Sequence, residues 1–297
     1  MASSKTLKLR TPIVIASGPG GFGEYLNVDS IDWSYVGAYT LKTITLHSKV
    51  GNKPPRIYAS NVFMINRIGL ENPGFDGLKK MIDSGELDVL LSKVPAILSL
   101  GGDSFEEYVE ITKLMKPYLD KFLAIEYNFS CPNVHHGGLS IMSDREEWKK
   151  LLKEIRKETD TFIIAKLGIE SGFVEEMAKI VALEGWNGVT VINTIRGLIV
   201  NPEGQVLLGG LSGPALYPIA LRAVYEVRKV LPDIFIIASG GIYTAQQAKE
   251  MLQFGANAVS IGSALFQNEE IINKIGKELM EFLKSEKNNN FIDSVNL

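Results

Sequence analysis

The residues best suited to chemistry gather in a few short strings. Asn128-Phe129-Ser130-Cys131-Pro132-Asn133 holds the only cysteine of the chain, among amides and a hydroxyl. A lone cysteine is usually a small buried hydrophobe. Cys131, however, lies just past an apolar run, before a proline, in a loop that continues to Gly137-Gly138. A thiol in such a loop can take a proton once its pKa is brought toward working pH. Lys42 and Lys166 end otherwise apolar runs. A snorkelling side chain explains either one alone. Buried, each needs a neighbouring anion or an electron-rich ring. Gly240-Gly241 and Gly262-Ser263 offer unobstructed backbone N–H groups of the kind that hold phosphate, with tight strand-to-helix turns as the plain alternative. His135 and His136 show no ligand spacing with a third partner, so no metal site is expected.

The elements that must position these residues alternate short apolar runs with longer amphipathic ones. Strands are predicted at Pro12–Ala16, Ala38–Thr43, Ala96–Leu100, Leu123–Asn128, Phe162–Leu167, Gly188–Asn193, Ile234–Ala238 and Ala258–Ile261. They read as continuous apolar stretches, which suits parallel strands covered on both faces. Helices are predicted at Glu106–Leu119, Glu146–Glu158, Val174–Glu184, Pro214–Leu231 and Ala245–Phe254, with Asp144 and Thr244 as N-caps. Eight such units predict an α/β fold, a closed (β/α)8 TIM barrel in which chemistry sits at the C-terminal strand ends. Ser17, Lys42, Thr43, Asn128, Cys131, Lys166, Asn193, Thr194, Gly240, Gly241, Gly262 and Ser263 all fall at or just past those ends. A single domain over residues 1–297 is expected, since such a barrel takes about 250 residues. Residues 45–90 exceed a normal βα unit and are expected to form an insertion over the barrel mouth, an elaborated active-site lid. The polar tail 284–297 is expected to fray. Gly18-Pro19-Gly20-Gly21-Phe22-Gly23 fits a dinucleotide-binding fingerprint, but poor helix formers follow it and the second strand ends in Lys42-Thr43 rather than an acid. A glycine-rich turn at the barrel top is the better reading.

A net charge of −3 gives no electrostatic reason to expect nucleic acid or an anionic membrane as partner. The N-terminal Met-Ala-Ser-Ser-Lys-Thr lacks the apolar core of a signal peptide, and no apolar run reaches the roughly 20 residues of a membrane helix. A cytoplasmic chain is expected. One cysteine cannot form an internal disulfide or hold an iron–sulfur cluster.

The string Asn128-Phe129-Ser130-Cys131-Pro132-Asn133 resembles the N-x-S-C-P-N loop of class 1 dihydroorotate dehydrogenases. Further matches run in the family's order along nearly the whole chain: Ala16-Ser17-Gly18, Lys42-Thr43-Ile44-Thr45, Gly51-Asn52 with Pro55-Arg56, Asn66 to Gly74, Asn193-Thr194, Gly210 to Pro214, and Gly240-Gly241-Ile242. The resemblance implies one FMN per chain, held by Ser17, Lys42, Thr43, Asn128, Lys166, Ile192, Gly213, Gly240, Gly241, Gly262 and Ser263. Ser99 stands where the family commonly has an asparagine FMN contact. The Lys-Leu-Ser-Pro string that the family has after the fifth strand is here Lys166-Leu167-Gly168-Ile169. The resemblance further implies that Lys42, Asn66, Arg67, Ile68, Gly69, Leu70, Asn128, Asn133, Asn193 and Thr194 surround dihydroorotate or orotate, and that Cys131 is the base.

A cysteine base argues against the membrane-associated, quinone-using class, which has a serine. Gly210-Leu211-Ser212-Gly213-Pro214 looks more like class 1B than the fumarate-using class 1A. Class 1B implies a homodimer joined to a partner subunit carrying FAD and a 2Fe-2S cluster, a heterotetramer that passes electrons to NAD. A class 1A enzyme, another flavin-dependent dihydropyrimidine dehydrogenase, and a non-catalytic FMN- or phosphate-binding barrel are the alternatives.

Overall fold

A computed structural model of the chain describes residues 7–27, 29–129 and 138–289. The strands are β1 (Ile13–Ile15), β2 (Ala38–Thr40), β3 (Ile57–Ala59), β4 (Met64–Asn66), β5 (Ala96–Leu100), β6 (Ala124–Asn128), β7 (Ile163–Leu167), β8 (Gly188–Val191), β9 (Ile195–Val200), β10 (Val206–Ser212), β11 (Phe235–Ser239) and β12 (Ala258–Ile261). Eight of them close a parallel barrel in the order β1-β2-β5-β6-β7-β8-β11-β12 and back to β1. Each overlaps one of the eight apolar runs read from the sequence. The remaining four, β3, β4, β10 and β9, form a separate antiparallel sheet.

Alternation along the strands divides each into an outer and an inner set of side chains. The outer set, with Ile13, Ile15, Tyr39, Leu98, Leu100 and Ile125, packs beneath the surrounding helices. The inner set is layered. Val14, Ala38, Ile97, Ala124, Ile164, Ile237 and Ala258 touch one another and plug the lower barrel together with Leu7 and Phe162. One step further along the strands the inner positions turn polar: Thr40, Ser99, Glu126, Lys166, Thr190, Ser239 and Ser260, every one buried. The barrel is therefore apolar below, and lined by hydrogen-bonding groups above.

The outer helices begin where capping chemistry starts them. Asp144 accepts hydrogen bonds from the N–H groups of Glu146 and Glu147 at the start of helix Arg145–Glu158. Thr244 and Gln247 form a reciprocal capping box at the start of Ala245–Gln253. Two helices, Gly74–Asp83 within residues 45–90 and Asp88–Lys93 across the end of that stretch, were not anticipated as helices. The first buries Leu78 and Ile82 and belongs to the outer ring. The last helix, Ile271–Asn289, runs into the segment 284–297 whose polar composition suggested fraying. Ile272, Ile275 and Leu279 carry its apolar stripe into the core, and Gly276 lets it press against the Tyr35 ring. Among the described residues no helix is long and apolar enough to cross a membrane.

Two substitutions separate the capping and plugging contributions in equilibrium urea denaturation. Thr244→Ala removes the cap and is expected to cost about 1 kcal/mol. Ile164→Ala opens a cavity in the apolar plug and is expected to cost about 2–5 kcal/mol.

Candidate functional site

A cavity of about 420 Å³ opens at the C-terminal ends of the barrel strands, beneath the antiparallel sheet. Its floor and walls come from the barrel: Ala16, Ser17, Lys42, Thr43, Asn128, Lys166, Ile192, Asn193, Thr194, Ser239, Gly240, Gly241, Ser260, Gly262 and Ser263. Its roof comes from two excursions far apart in sequence. One supplies Arg56, Ile57, Met64, Asn66, Ile68, Gly69, Leu70 and Glu71, the other Ser212. The two are joined by antiparallel pairing of Asn66 with Gly210, Ile65 with Leu211 and Met64 with Ser212.

A hydrogen-bonded chain fixes one wall. Ser17 Oγ donates to the Leu41 carbonyl at 2.8 Å and lies 3.3 Å from Thr43 Oγ1. Thr43 Oγ1 is also 2.9 Å from Ser99 Oγ and accepts from Asn128 Nδ2 at 3.4 Å. Asn128 Oδ1 in turn accepts from Asn193 Nδ2 at 3.2 Å, while Tyr108 donates to the Asn128 carbonyl at 2.7 Å. Each amide is thereby oriented by a neighbour on another strand. The glycine run opens no long helix. The Lys42 N–H donates to the Gly21 carbonyl at 2.8 Å, Tyr39 donates to the Gly20 carbonyl, and Gly18 and Pro19 face the cavity.

On the far wall Gly240 and Gly241 take φ values of 123° and 71°, a backbone that side chains disfavour. A Cβ on Gly241 would lie 2.3 Å from the Tyr217 nitrogen. Beside them Tyr243 Oη and Ser263 Oγ are 2.9 Å apart. Burial pushes the Tyr243 phenol above its ordinary range, against a smaller opposing effect of the Ser263 hydrogen bond, so it stays protonated at neutral pH. In the roof Leu70 has φ 53°, uncommon for a residue with a side chain, and its carbonyl accepts from Asn72 Nδ2 at 2.6 Å.

Most of the residues singled out from sequence meet in this one cavity, with three exceptions. Ser99 stands behind Thr43 rather than on the surface, because its inward side chain is wholly buried and spent on the Thr43 hydroxyl. Gly213 packs against the roof, where a Cβ would lie 2.7 Å from Phe63 Cα. Arg67 is not part of the lining; its backbone instead bonds the Arg56 carbonyl and Asn52 Nδ2. Cys131 and Asn133 lie outside the described residues. Sequence reasoning also missed several features. Arg56 and Glu71 form an ion pair of 2.6 Å at the rim. Met64, Leu216, Ile242 and Phe266 supply apolar lining. Glu126 lies buried under the floor, and its only local signal was an acid inside an apolar strand.

The arrangement can hold an elongated polar ligand whose anionic group meets glycine N–H donors at one end and whose other end meets two lysines and several amides. The dihydroorotate dehydrogenase family model matches residues 2–283. Proteins of Thermotoga petrophila and Thermotoga maritima, both named dihydroorotate dehydrogenase B (NAD(+)), catalytic subunit, are 53% identical over 276 residues, covering 93% of this chain and 98% of theirs. A protein of the same name from Thermoanaerobacter pseudethanolicus is 37% identical over 268 residues, covering 88% and 86%. In three dimensions, the crystal structure of DHODH in complex with ferulenol from Eimeria tenella superposes with a TM-score of 0.78 at 22% identity, covering 97% of this chain and 85% of that one. The chain belongs to the dihydroorotate dehydrogenase family.

Proposed function

We propose that the chain oxidises (S)-dihydroorotate to orotate, a step of de novo pyrimidine (UMP) biosynthesis, as an FMN-dependent oxidoreductase. The observation that carries this reading is the 53% identity spanning 98% of relatives named as NAD(+) catalytic subunits. The cavity suits the cofactor. Its volume of about 420 Å³ lies in the range of about 300–1,000 Å³ usual for small-molecule sites. Gly240, Gly241, Gly262 and Ser263 would take the phosphate, and Ser17, Lys42, Thr43, Asn128, Lys166 and Ile192 the ring system. When bound, FMN supplies a hydride acceptor that no side chain can replace.

The chain's own residues then have separable tasks. Lys42 would meet the substrate carboxylate, and Asn66, Asn128, Asn133, Asn193 and Thr194 its pyrimidine amides. Asn66, Asn128 and Asn193 are already aimed by hydrogen bonds to the Gly210 carbonyl, to Thr43 and between Asn128 and Asn193, so little ordering of these three remains at binding. Cys131 Sγ would take the proton from C5 as hydride leaves C6. The roof over the cavity would help to keep bulk water from the reacting atoms.

The same reading includes a cytoplasmic homodimer joined to a partner subunit that carries FAD and a 2Fe-2S cluster and delivers the electrons to NAD. The relatives' designation as catalytic subunits supports a partner. The single cysteine also supports one, since this chain cannot hold the cluster.

Anaerobic mixing of the FMN-loaded chain with L-dihydroorotate should bleach the flavin and yield orotate. Cys131→Ser should retain FMN and slow that bleaching by about 100-fold or more; an unchanged rate would remove Cys131 from its role. Gly262→Val, whose side chain would crowd Ala16 and Pro19 at the floor, should weaken FMN binding by about tenfold or more with unchanged circular dichroism. NAD reduction should need a second polypeptide. Reduction by a purified complex containing this chain alone would overturn the partner assignment.

A further inference from the structure

A buried carboxylate lies behind the cavity lining, in the same inner level as Lys166, and takes part in none of the steps above. Glu126 is the central residue of β6 and is 3% exposed. Strand alternation turns it inward, one step below Asn128. Its Oε2 accepts the Thr190 hydroxyl at 2.7 Å. Among the described residues its Oε1 accepts no hydrogen bond, and it stands 4.0 Å from Lys166 Nζ, on a side chain that is 9% exposed. Among the described residues Lys166 is the one cation paired with Glu126.

Burying a carboxylate costs several kcal/mol unless an opposite charge and hydrogen bonds offset it. The flanking strands show that a small hydroxyl fits this layer, since Ser99 lies opposite Glu126 on one side and Thr190 reaches it from two strands away. A charge in place of a hydroxyl changes the electrostatics of one neighbour above all, Lys166. That lysine lines the cavity while its side chain is itself buried, so a nearby opposite charge is its main electrostatic compensation. The Thr190 hydroxyl ties down one carboxylate oxygen and leaves the other for the ammonium.

We propose that Glu126 is a positioning residue, the counter-ion that holds the Lys166 ammonium at the cavity floor, with Thr190 fixing the carboxylate. Lys166 then presents a standing positive charge to an electron-rich ring in the cavity. The identity of that ring as flavin rests on the function proposed above. The pairing with Lys166 does not.

The test therefore reads Lys166 first in the full chain freed of flavin. Acetic anhydride labelling at mildly alkaline pH, quantified by peptide mass spectrometry, reports how much uncharged amine is present, with Lys42 in the same cavity as internal reference. Glu126→Gln keeps the shape and removes the charge; Lys166 should then label about tenfold faster while Lys42 is unchanged. Thr190→Val, which leaves both charges and frees the carboxylate, should act in the same direction by about two- to threefold. In the FMN-loaded Glu126→Gln chain the flavin midpoint potential should become more negative, by about 30 mV for a tenfold change in the two-electron equilibrium. Glu126→Asp should recover part of both effects. Unchanged Lys166 labelling in Glu126→Gln overturns the proposal. So does a shift of the potential to more positive values, the result if Lys166 stays charged and only a nearby negative charge has gone. Where Glu126→Gln does not fold, unchanged labelling in Thr190→Val overturns it equally. Failure of the wild-type chain to bind FMN would defeat the proposed function, while the labelling still decides the role of Glu126.

Discussion

A closed barrel of eight short strands admits no spare interior space. Each strand turns alternate side chains inward, and with no sheet edge to relax, the inner positions must fill the barrel level by level. In this chain the lower level is filled by aliphatic residues that need only contact, and the next by residues that must also be hydrogen-bonded or paired. Glu126 with Thr190 and Lys166, and Ser99 with Thr43, meet that requirement within the barrel wall. The cavity rests on this polar level. Its floor is therefore set by interactions that cannot shift singly without leaving a buried polar group unpaired, and the positions of Lys166, Asn128 and Asn193 inherit that rigidity.

The parts of the fold that were legible in the sequence are those whose signal is local. The eight barrel strands are buried on both faces, so they appear as unbroken apolar runs, and the caps at Asp144 and Thr244 are written in adjacent residues. The roof has no such signature. β3 and β4 are three residues each, and β10 carries two adjacent glycines. The pairing that holds the roof together joins Met64–Asn66 to Gly210–Ser212, across a sequence distance that periodicity does not span. The helix Gly74–Asp83 was hidden within an excursion read as a single insertion, and Asp88–Lys93 straddles the end of it.

The site was legible where chemistry sits at strand ends and illegible where it depends on depth. Lys166 raised the question of a compensating anion, yet the acid that answers it is forty residues earlier on a neighbouring strand. Only the register of Asn128 with Lys166 brings the two together. The depth of Ser99 was hidden for the same reason. Its position on β5 puts it near the site, but one more atom's depth sets it behind Thr43. Gly213 marks a different limit, because a glycine packed closely on Phe63 and a glycine that meets a ligand look alike in sequence.

The roof and the floor are made by different stretches of chain, and the two roof excursions are sewn to each other by the strand pairing of β4 with β10. Heritable change can therefore act on them separately. A substitution in the excursion around Ile57 or Ile68 alters what the chamber admits without disturbing the packed levels beneath, whereas a change at Glu126 or Thr190 alters the floor while leaving the entrance as it was. Such a division lets one barrel be retuned toward a differently shaped guest by editing its canopy alone. Because the canopy is a joint product of two excursions, compensating changes in its evolution are expected in pairs, one in each.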